Sequence, residues 1–273
     1  MMNYQTFNPP EILQPFIKHF WALEGDAAGN SEKTFSAIPD GCPGVIMVQS
    51  EKEAFCLNNN KKLPNIFLYG QTIRPATFSA VGKIGAIGIC FQPHALKSIF
   101  GLDADELTNS CTDLSLIGSK SNNNLSDQLL NAATIDEQIR LLSFYLFEQY
   151  QSNDRHPDGI IKYAISQLTH SKGKMSIKEL NQKVQVSERT LERKFKESVG
   201  ISPQLYSRII RFQESLNQLR KSDYDRLSDI AYDNDYADQS HFIRVFKEFT
   251  GFSPIEFKKN SDEVAENFPR LKK

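Results

Sequence analysis

Cysteine is scarce in this 273-residue chain: there are four, Cys42, Cys56, Cys90 and Cys111, all in the N-terminal half. None forms a CxxC pair and no histidine stands at metal-ligand spacing from them, which excludes the common zinc motifs. Free cysteine is usually buried as a small hydrophobe. Reduced, partly buried thiols are therefore expected, and nothing in the sequence selects a redox-sensing one. Long apolar runs are also missing, so no segment has the length of a helical membrane span. Residues 1–10 are polar, with no basic stretch leading into an apolar one, so a cytoplasmic protein is expected. The five histidines, His19, His94, His156, His170 and His241, are scattered with no HxH pair. With no nucleophile elbow, phosphate loop or zinc-hydrolase motif either, an enzyme is disfavoured and no metal or cofactor is expected.

What remains is a soluble-type composition with a divided charge. Hydrophobic residues make up 40% of the chain, enough for real cores in two domains. The net charge of −1 splits unevenly. Residues 1–154 hold 10 Lys and Arg against 16 Asp and Glu, whereas residues 155–260 hold 19 against 14. An acidic half joined to a basic half is the asymmetry expected when only one part meets phosphate.

The sharpest feature is an internal repeat at an offset of 51 residues. Ser187–Tyr206 reads SERTLERKFKESVGISPQLY and Asp238–Phe257 reads DQSHFIRVFKEFTGFSPIEF. Seven of the twenty aligned positions are identical, among them Arg193/Arg244, Lys196/Lys247, Gly200/Gly251 and Pro203/Pro254. In each copy a capping residue, Ser187 in the first and Asp238 or Ser240 in the second, opens a helix with apolar residues at helical spacing. Gly200 and Gly251 close those helices, and Ser-Pro then opens the next. Shorter helices precede each copy, at Ser176–Lys183 and Leu227–Tyr232, and Gly159–Leu168 closes the first core. Helix, tight turn, helix is the helix-turn-helix pattern, whose second helix enters the DNA major groove. Between the copies Leu205, Ile209, Phe212, Leu216 and Leu219 stripe a longer helix, the natural strut between two units.

At the strings SIKELNQKVQVSERTLERKFKESVGISPQLY and LSDIAYDNDYADQSHFIRVFKEFTGFSPIEF, joined by a strut bearing Arg211, the chain resembles the AraC/XylS family of transcription regulators. Two positions depart from the family pattern. Asp235 stands in the second turn where Gly is usual, a position that asks for positive φ, which Asp tolerates with some strain. Asn181 stands where Ala is favoured, which predicts looser packing of the first unit. The N-terminal half resembles the cupin-like domain that precedes such modules, at PFIKHFW, IPDGC, YGQ and GICFQPHAL. Independently, Val45–Val48, Ile66–Tyr69 and Ile84–Phe91 read as short strands of a sandwich or barrel.

The expected fold class is α+β: a mostly-β cupin-like sensor domain over residues 1–120, a helical linker over 121–154, an all-α double helix-turn-helix domain over 155–260, and a polar tail over 261–273. In the linker, Thr134 and Glu137 make a capping box before a stripe of Ile135, Ile139, Leu142 and Leu146. That stripe reads as packing on its own domain, with a dimer contact as the alternative the resemblance implies.

With Leu191 and Phe195 inward, the first recognition helix turns Glu188, Arg189, Glu192, Arg193 and Lys196 outward. The resemblance places base reading on Arg189, Glu192 and Arg193, and on Gln239, Ser240, His241 and Arg244 in the second helix. Arg can grip guanine O6 and N7, and Glu can accept from cytosine N4. Ile243 is placed to touch a thymine methyl. Lys196 and Lys247 are better placed for phosphate. Two such helices on one strut would meet successive major-groove faces roughly 34 Å apart, so one chain could read an asymmetric site. The partners implied are double-stranded DNA at a promoter or operator, RNA polymerase, a small-molecule effector and a second copy of the chain, with no membrane.

Two other functions compete. A cupin enzyme tethered to DNA would need clustered His and carboxylate ligands, which are absent. An architectural binder would show diffuse Lys and apolar wedges rather than Arg, Gln, Ser and His on reading faces. Trp21, Phe35, Tyr69, Phe91 and His94 are candidates for an effector pocket, though aromatics in a β domain are more often core.

Overall fold

The computed structural model describes residues 2–25, 32–50, 55–56, 61–81, 84–117, 124–153, 157–265 and 267–271. His156 and the domain boundaries expected at 120/121 and 154/155 lie outside them.

The N-terminal region comprises β1 (Met2–Phe7), β2 (Ile17–Gly25), β3 (Glu32–Ala37), β4 (Gly44–Ser50), β5 (Phe55–Cys56), β6 (Lys61–Lys62), β7 (Ile66–Tyr69), β8 (Ala76–Val81), β9 (Ile84–Phe91), α1 (Ala95–Phe100) and β10 (Cys111–Asp113). Next come α2 (Leu125–Asn131), α3 (Ile135–Ser152), α4 (Gly159–His170), α5 (Ile177–Val184), α6 (Glu188–Val199), α7 (Pro203–Lys221), α8 (Leu227–Asp233), α9 (Gln239–Thr250), α10 (Pro254–Asn260), β11 (Ser261–Ala265) and β12 (Phe268–Leu271). The strands form two six-stranded sheets, ordered β1-β2-β9-β4-β7-β10 and β11-β12-β3-β8-β5-β6. The three runs read from sequence as strands are β4, β7 and β9.

The first sheet is covered on both faces, and the period of two in its strands decides which side chain goes where. Val45, Met47, Ile87, Ile89 and Phe91 point to the layer formed by α1, α2 and α3. Trp21, Leu23, Ile46 and Phe67 occupy the opposite face. The linker stripe belongs to the first of these cores: Leu142 and Leu146 are fully buried in it, with Ile135 and Ile139 packed at its margin. Internal packing is thus the use the structure makes of that stripe.

A correction concerns the C-terminus. Residues 261–265 and 267–271 are not a free polar tail. β11 and β12 pair as an antiparallel hairpin, and β12 continues the second sheet beside β3, with Arg270 opposite Phe35 and Leu271 opposite Thr34. The Asn267 carbonyl also accepts the Ile38 N–H at 3.0 Å. The hairpin covers an otherwise unpaired edge of β3, a need invisible in the polar sequence of the segment itself.

The helices from α4 to α10 surround one continuous core that runs through both repeat copies. The strut α7 buries Tyr206, Ile209, Phe212, Leu216 and Leu219 in it. Asn181 sits at the margin of this core, and among the described residues its Oδ1 takes no hydrogen bond. An unsatisfied buried acceptor costs stability, and Ala is the better helix former. Asn181→Ala should therefore stabilise the protein by about 1 kcal/mol in urea unfolding; a loss of stability would show that the amide has a partner.

Candidate nucleic-acid interface

The repeat in sequence is a repeat in space. α6 and α9 are both 12-residue helices starting 51 residues apart. Ser187 Oγ accepts the Thr190 N–H, and Asp238 Oδ1 accepts the His241 N–H at 2.7 Å. Both helices end on a left-handed glycine, Gly200 at φ 95° and Gly251 at φ 80°. Ser202 and Ser253 then cap α7 and α10 ahead of Pro203 and Pro254. Even the core contact repeats: Phe195 meets Tyr206 edge-on with ring centroids 5.6 Å apart, and Phe246 meets Phe257 likewise at 5.6 Å.

With Leu191, Phe195 and Val199 buried, α6 exposes Arg189, Glu192, Arg193 and Lys196. With Phe242, Val245, Phe246 and Phe249 buried, α9 exposes Gln239, Ser240, Arg244 and Lys247. The two faces differ in their present engagements. Arg193 Nη1 is 2.6 Å from Glu197 Oε1, and Lys196 Nζ is 3.1 Å from Glu192 Oε1. Among the described residues Arg244 has no ion pair. His241 is only half exposed; its Nδ1 accepts the Ala237 N–H at 3.4 Å and its ring meets Tyr236 edge-on. It is the member of the expected reading set most occupied with local structure.

The two units are fixed to one another through α7. Arg211 donates from Nη2 (2.8 Å) and Nε (3.3 Å) to the Gly173 carbonyl ahead of α5, and from Nη1 (3.2 Å) to the Asp235 carbonyl in the second turn. Asp235 has φ 54°, the left-handed conformation expected there. Ser207 Oγ donates to the same Gly173 carbonyl at 2.8 Å. Gly173 has φ 71°, and a Cβ at that position would collide with the Ser207 carbonyl, so glycine is needed for so close an approach to α7.

The first unit is latched to the sheet region at its recognition helix. Lys97 Nζ in α1 lies 3.2 Å from Glu197 Oε2, the carboxylate that also holds Arg193. Thr108 Oγ1 donates to the Gly200 carbonyl at 2.6 Å. These partners are about 100 residues apart in sequence, and no local pattern could have revealed them.

The five residues expected to line one pocket do not converge. Phe91 and Phe35 are buried in separate cores. Trp21 and Tyr69 border a cavity of about 320 Å³ between the sheet and α7. His94 borders a different one of about 410 Å³, beside Lys97, Arg193 and Glu197. The first cavity also brings Asp40, Cys42 and Cys90 together, which their spacing in sequence did not suggest.

Burial, assisted by the charge of Lys162, lowers the pKa of His94 from 6.5 to about 4. The folded protein thus disfavours the charged imidazole, and the unfolded chain takes up the extra proton as pH falls below 6.5. His94 therefore leaves stability intact above pH 6.5 and withdraws it progressively down to about pH 4, by about 3 kcal/mol in all. Urea unfolding at pH 7.5 and 4.5 should show a loss about 2–3 kcal/mol larger in the wild type than in His94→Leu. Equal losses would mean that His94 is protonated without penalty.

Two helix-turn-helix units on a shared strut are thus joined to an antiparallel-sheet region. Residues 180–260 match a family described as "Helix-turn-helix domain", and residues 5–113 match one described as "Domain of unknown function (DUF6597)". Over residues 180–260 the chain thus carries a helix-turn-helix domain of the matched kind. It is 31% identical to the HTH-type transcriptional activator RhaS of Escherichia fergusonii over 110 residues, which is 40% of this chain and 39% of that protein. It is 33% identical to RhaS of Citrobacter koseri over 82 residues, 30% of this chain and 29% of that one. The chain thus spans about two fifths or less of the length of these relatives. Among solved structures it is similar to ToxT from Vibrio cholerae, at 14% identity with a TM-score of 0.49, covering 94% of this chain and 97% of that one. No helix among the described residues is long and apolar enough to cross a membrane.

Proposed function

We propose that the protein is a sequence-specific DNA-binding transcription regulator, not an enzyme, in which α6 and α9 of one chain read successive major-groove faces of an operator. The observation that carries this is the duplicated pair of helices. Both have the same caps and core contacts, both expose an Arg and a Lys at matched positions, and both are clamped to one strut. Arg189, Glu192 and Arg193 on α6, and Gln239, Ser240, His241 and Arg244 on α9, are the base-reading set. Lys196 and Lys247, one turn along, hold phosphate. Glu192 needs to leave Lys196, and Arg193 to leave Glu197, before either can meet a base. Both pairs are largely exposed and worth little, so DNA can displace them.

In this reading residues 1–120 are the regulatory domain, 121–154 its helical linker and 155–260 the DNA-binding domain, acting in the cytoplasm. The Lys97–Glu197–Arg193 chain is the route by which a small-molecule effector or a second copy of the protein would alter reading by the first unit. The relatives named as transcriptional activators support RNA polymerase as the further partner.

Arg193→Ala and Arg244→Ala should each cost about 1–3 kcal/mol in operator binding and relax preference at particular bases. Lys196→Ala should weaken all sequences alike and flatten the salt dependence. Electrophoretic mobility shifts against operator and unrelated DNA at several salt concentrations separate the two behaviours. Arginine variants that bind the operator as tightly as wild type would overturn the assignment.

A further inference from the structure

The cavity between the first sheet and α7 contains a chemical grouping that DNA reading does not use. Cys42, in the turn before β4, and Cys90, on β9, present their sulfurs together with an Asp40 carboxylate oxygen, all within 4.8 Å of one another. Lys18 on β2 donates from Nζ to Cys42 Sγ at 2.8 Å. A contact of that sulfur with the Asp40 carbonyl is longer, at 3.7 Å.

We infer that Cys42 and Cys90 form a reversible dithiol switch, with Cys42 the thiolate that meets a hydroperoxide and Cys90 the thiol that resolves it. The Lys18 ammonium supplies the fixed positive charge that a reactive cysteine needs. The hydrogen bond from Cys90 and the Lys18 charge lower the Cys42 pKa against the opposing effects of burial and Asp40, while the same hydrogen bond and burial raise that of Cys90. One sulfur is thus biased toward the thiolate and its neighbour toward the thiol. A cavity of about 320 Å³ admits a small hydroperoxide.

In the first step the Cys42 thiolate attacks the distal peroxide oxygen. The O–O bond breaks, a sulfenic acid forms, and the departing alkoxide or hydroxide takes from solvent the proton that Cys42 released on becoming a thiolate. Cys90 then attacks the Cys42 sulfur. The S–S bond forms, the S–O bond breaks, and the hydroxide leaves with the Cys90 proton as water. Overall two thiols surrender two protons and two electrons, and hydrogen peroxide becomes two waters. The grouping could also suggest a metal site. Lys18 argues against that, because its ammonium occupies one side of the Cys42 sulfur and repels a cation, and three donors are one short of a closed zinc site.

Closing the pair to an S–S bond of roughly 2.05 Å requires one partner to move. Cys90 is held in β9 between β2 and β4, so the movement falls on the segment carrying Cys42. That segment is docked on the DNA-binding region. Ile38 is buried in the helix-turn-helix core, the Pro39 carbonyl accepts from Gln213 Nε2 of α7, and Gly41 lies against the Tyr206 ring. Oxidation therefore withdraws a contact from the strut that carries both recognition helices. The thiol chemistry is independent of the function proposed above, and its consequence for DNA rests on that function.

The test uses the full-length reduced protein, hydrogen peroxide and peptide mass mapping. A Cys42–Cys90 linked peptide, reversed by dithiothreitol, is expected, with operator binding about tenfold weaker in the oxidised form. Cys90→Ser should stop at a sulfenic acid on Cys42 that dimedone traps. Lys18→Met should slow Cys42 oxidation about tenfold while leaving alkylation of Cys111 unchanged. Peroxide oxidation that reaches Cys111 first without linking Cys42 to Cys90 overturns the switch, as does stoichiometric zinc held by the pair in wild-type protein. A linked pair with unchanged operator affinity overturns the coupling to DNA. Reduced protein that prefers no DNA sequence overturns the proposed function, and the wild-type peptide map still decides the thiol chemistry.

Discussion

Everything in the C-terminal half depends on α7 having a partner on both sides. A helix with a long apolar stripe cannot stand in water, and this one buries Tyr206 against Phe195 of the first unit and Phe212 against Phe246 of the second. The aromatic contacts set how close each recognition helix lies to the strut, but packing alone would leave rotation about its axis weakly fixed. Arg211 removes that freedom. Its planar guanidinium has donors pointing in fixed directions, and it uses them on one carbonyl from each unit, Gly173 and Asp235. Both carbonyls belong to residues at positive φ, where the chain has turned away from its own helix and its oxygen is open to a new donor.

How much of this was legible varies with the range of the interaction. Caps, left-handed glycines and apolar periodicity act within one helical turn, so Ser187, Gly200, Ser202 and their counterparts 51 residues later announced helices and boundaries together. Asp235 and Asn181 were legible as departures from a pattern, one adopting the strained turn and the other leaving an amide oxygen without a partner. The exposed faces of α6 and α9 also followed from periodicity, because the buried positions dictate the exposed ones. The sheet was legible as strands but not as an order, since β9 pairs with β2 and β4 across long loops. The C-terminal hairpin was missed because strand pairing at an edge rewards backbone geometry more than side-chain pattern. Likewise, the Lys97–Glu197 contact and the Cys42–Cys90 approach arise only when the two regions meet.

That meeting ties the proposed DNA reader to the rest of the molecule at several places among the described residues. α6 docks on α1 through Lys97 and meets Thr108 at its C-terminal glycine, Ile73 packs against the helical core, the Cys42 segment docks on α7, and the hairpin that follows α10 joins the second sheet. Several of these touch either the first recognition helix or the strut. Among the described residues the Arg244 face of the second unit carries no ion pair of the Lys97–Glu197 kind. Within one chain α6 and α9 are built alike and contacted differently.

The central claim is that one chain presents two recognition helices to one face of the duplex. Hydroxyl-radical footprinting on the selected operator, at protein concentrations where sedimentation shows a monomer, tests it most directly. Two protected windows about 10 base pairs apart on the same side of the helix are expected. A single window from the monomer, with the second appearing only at concentrations where it dimerises, would contradict it.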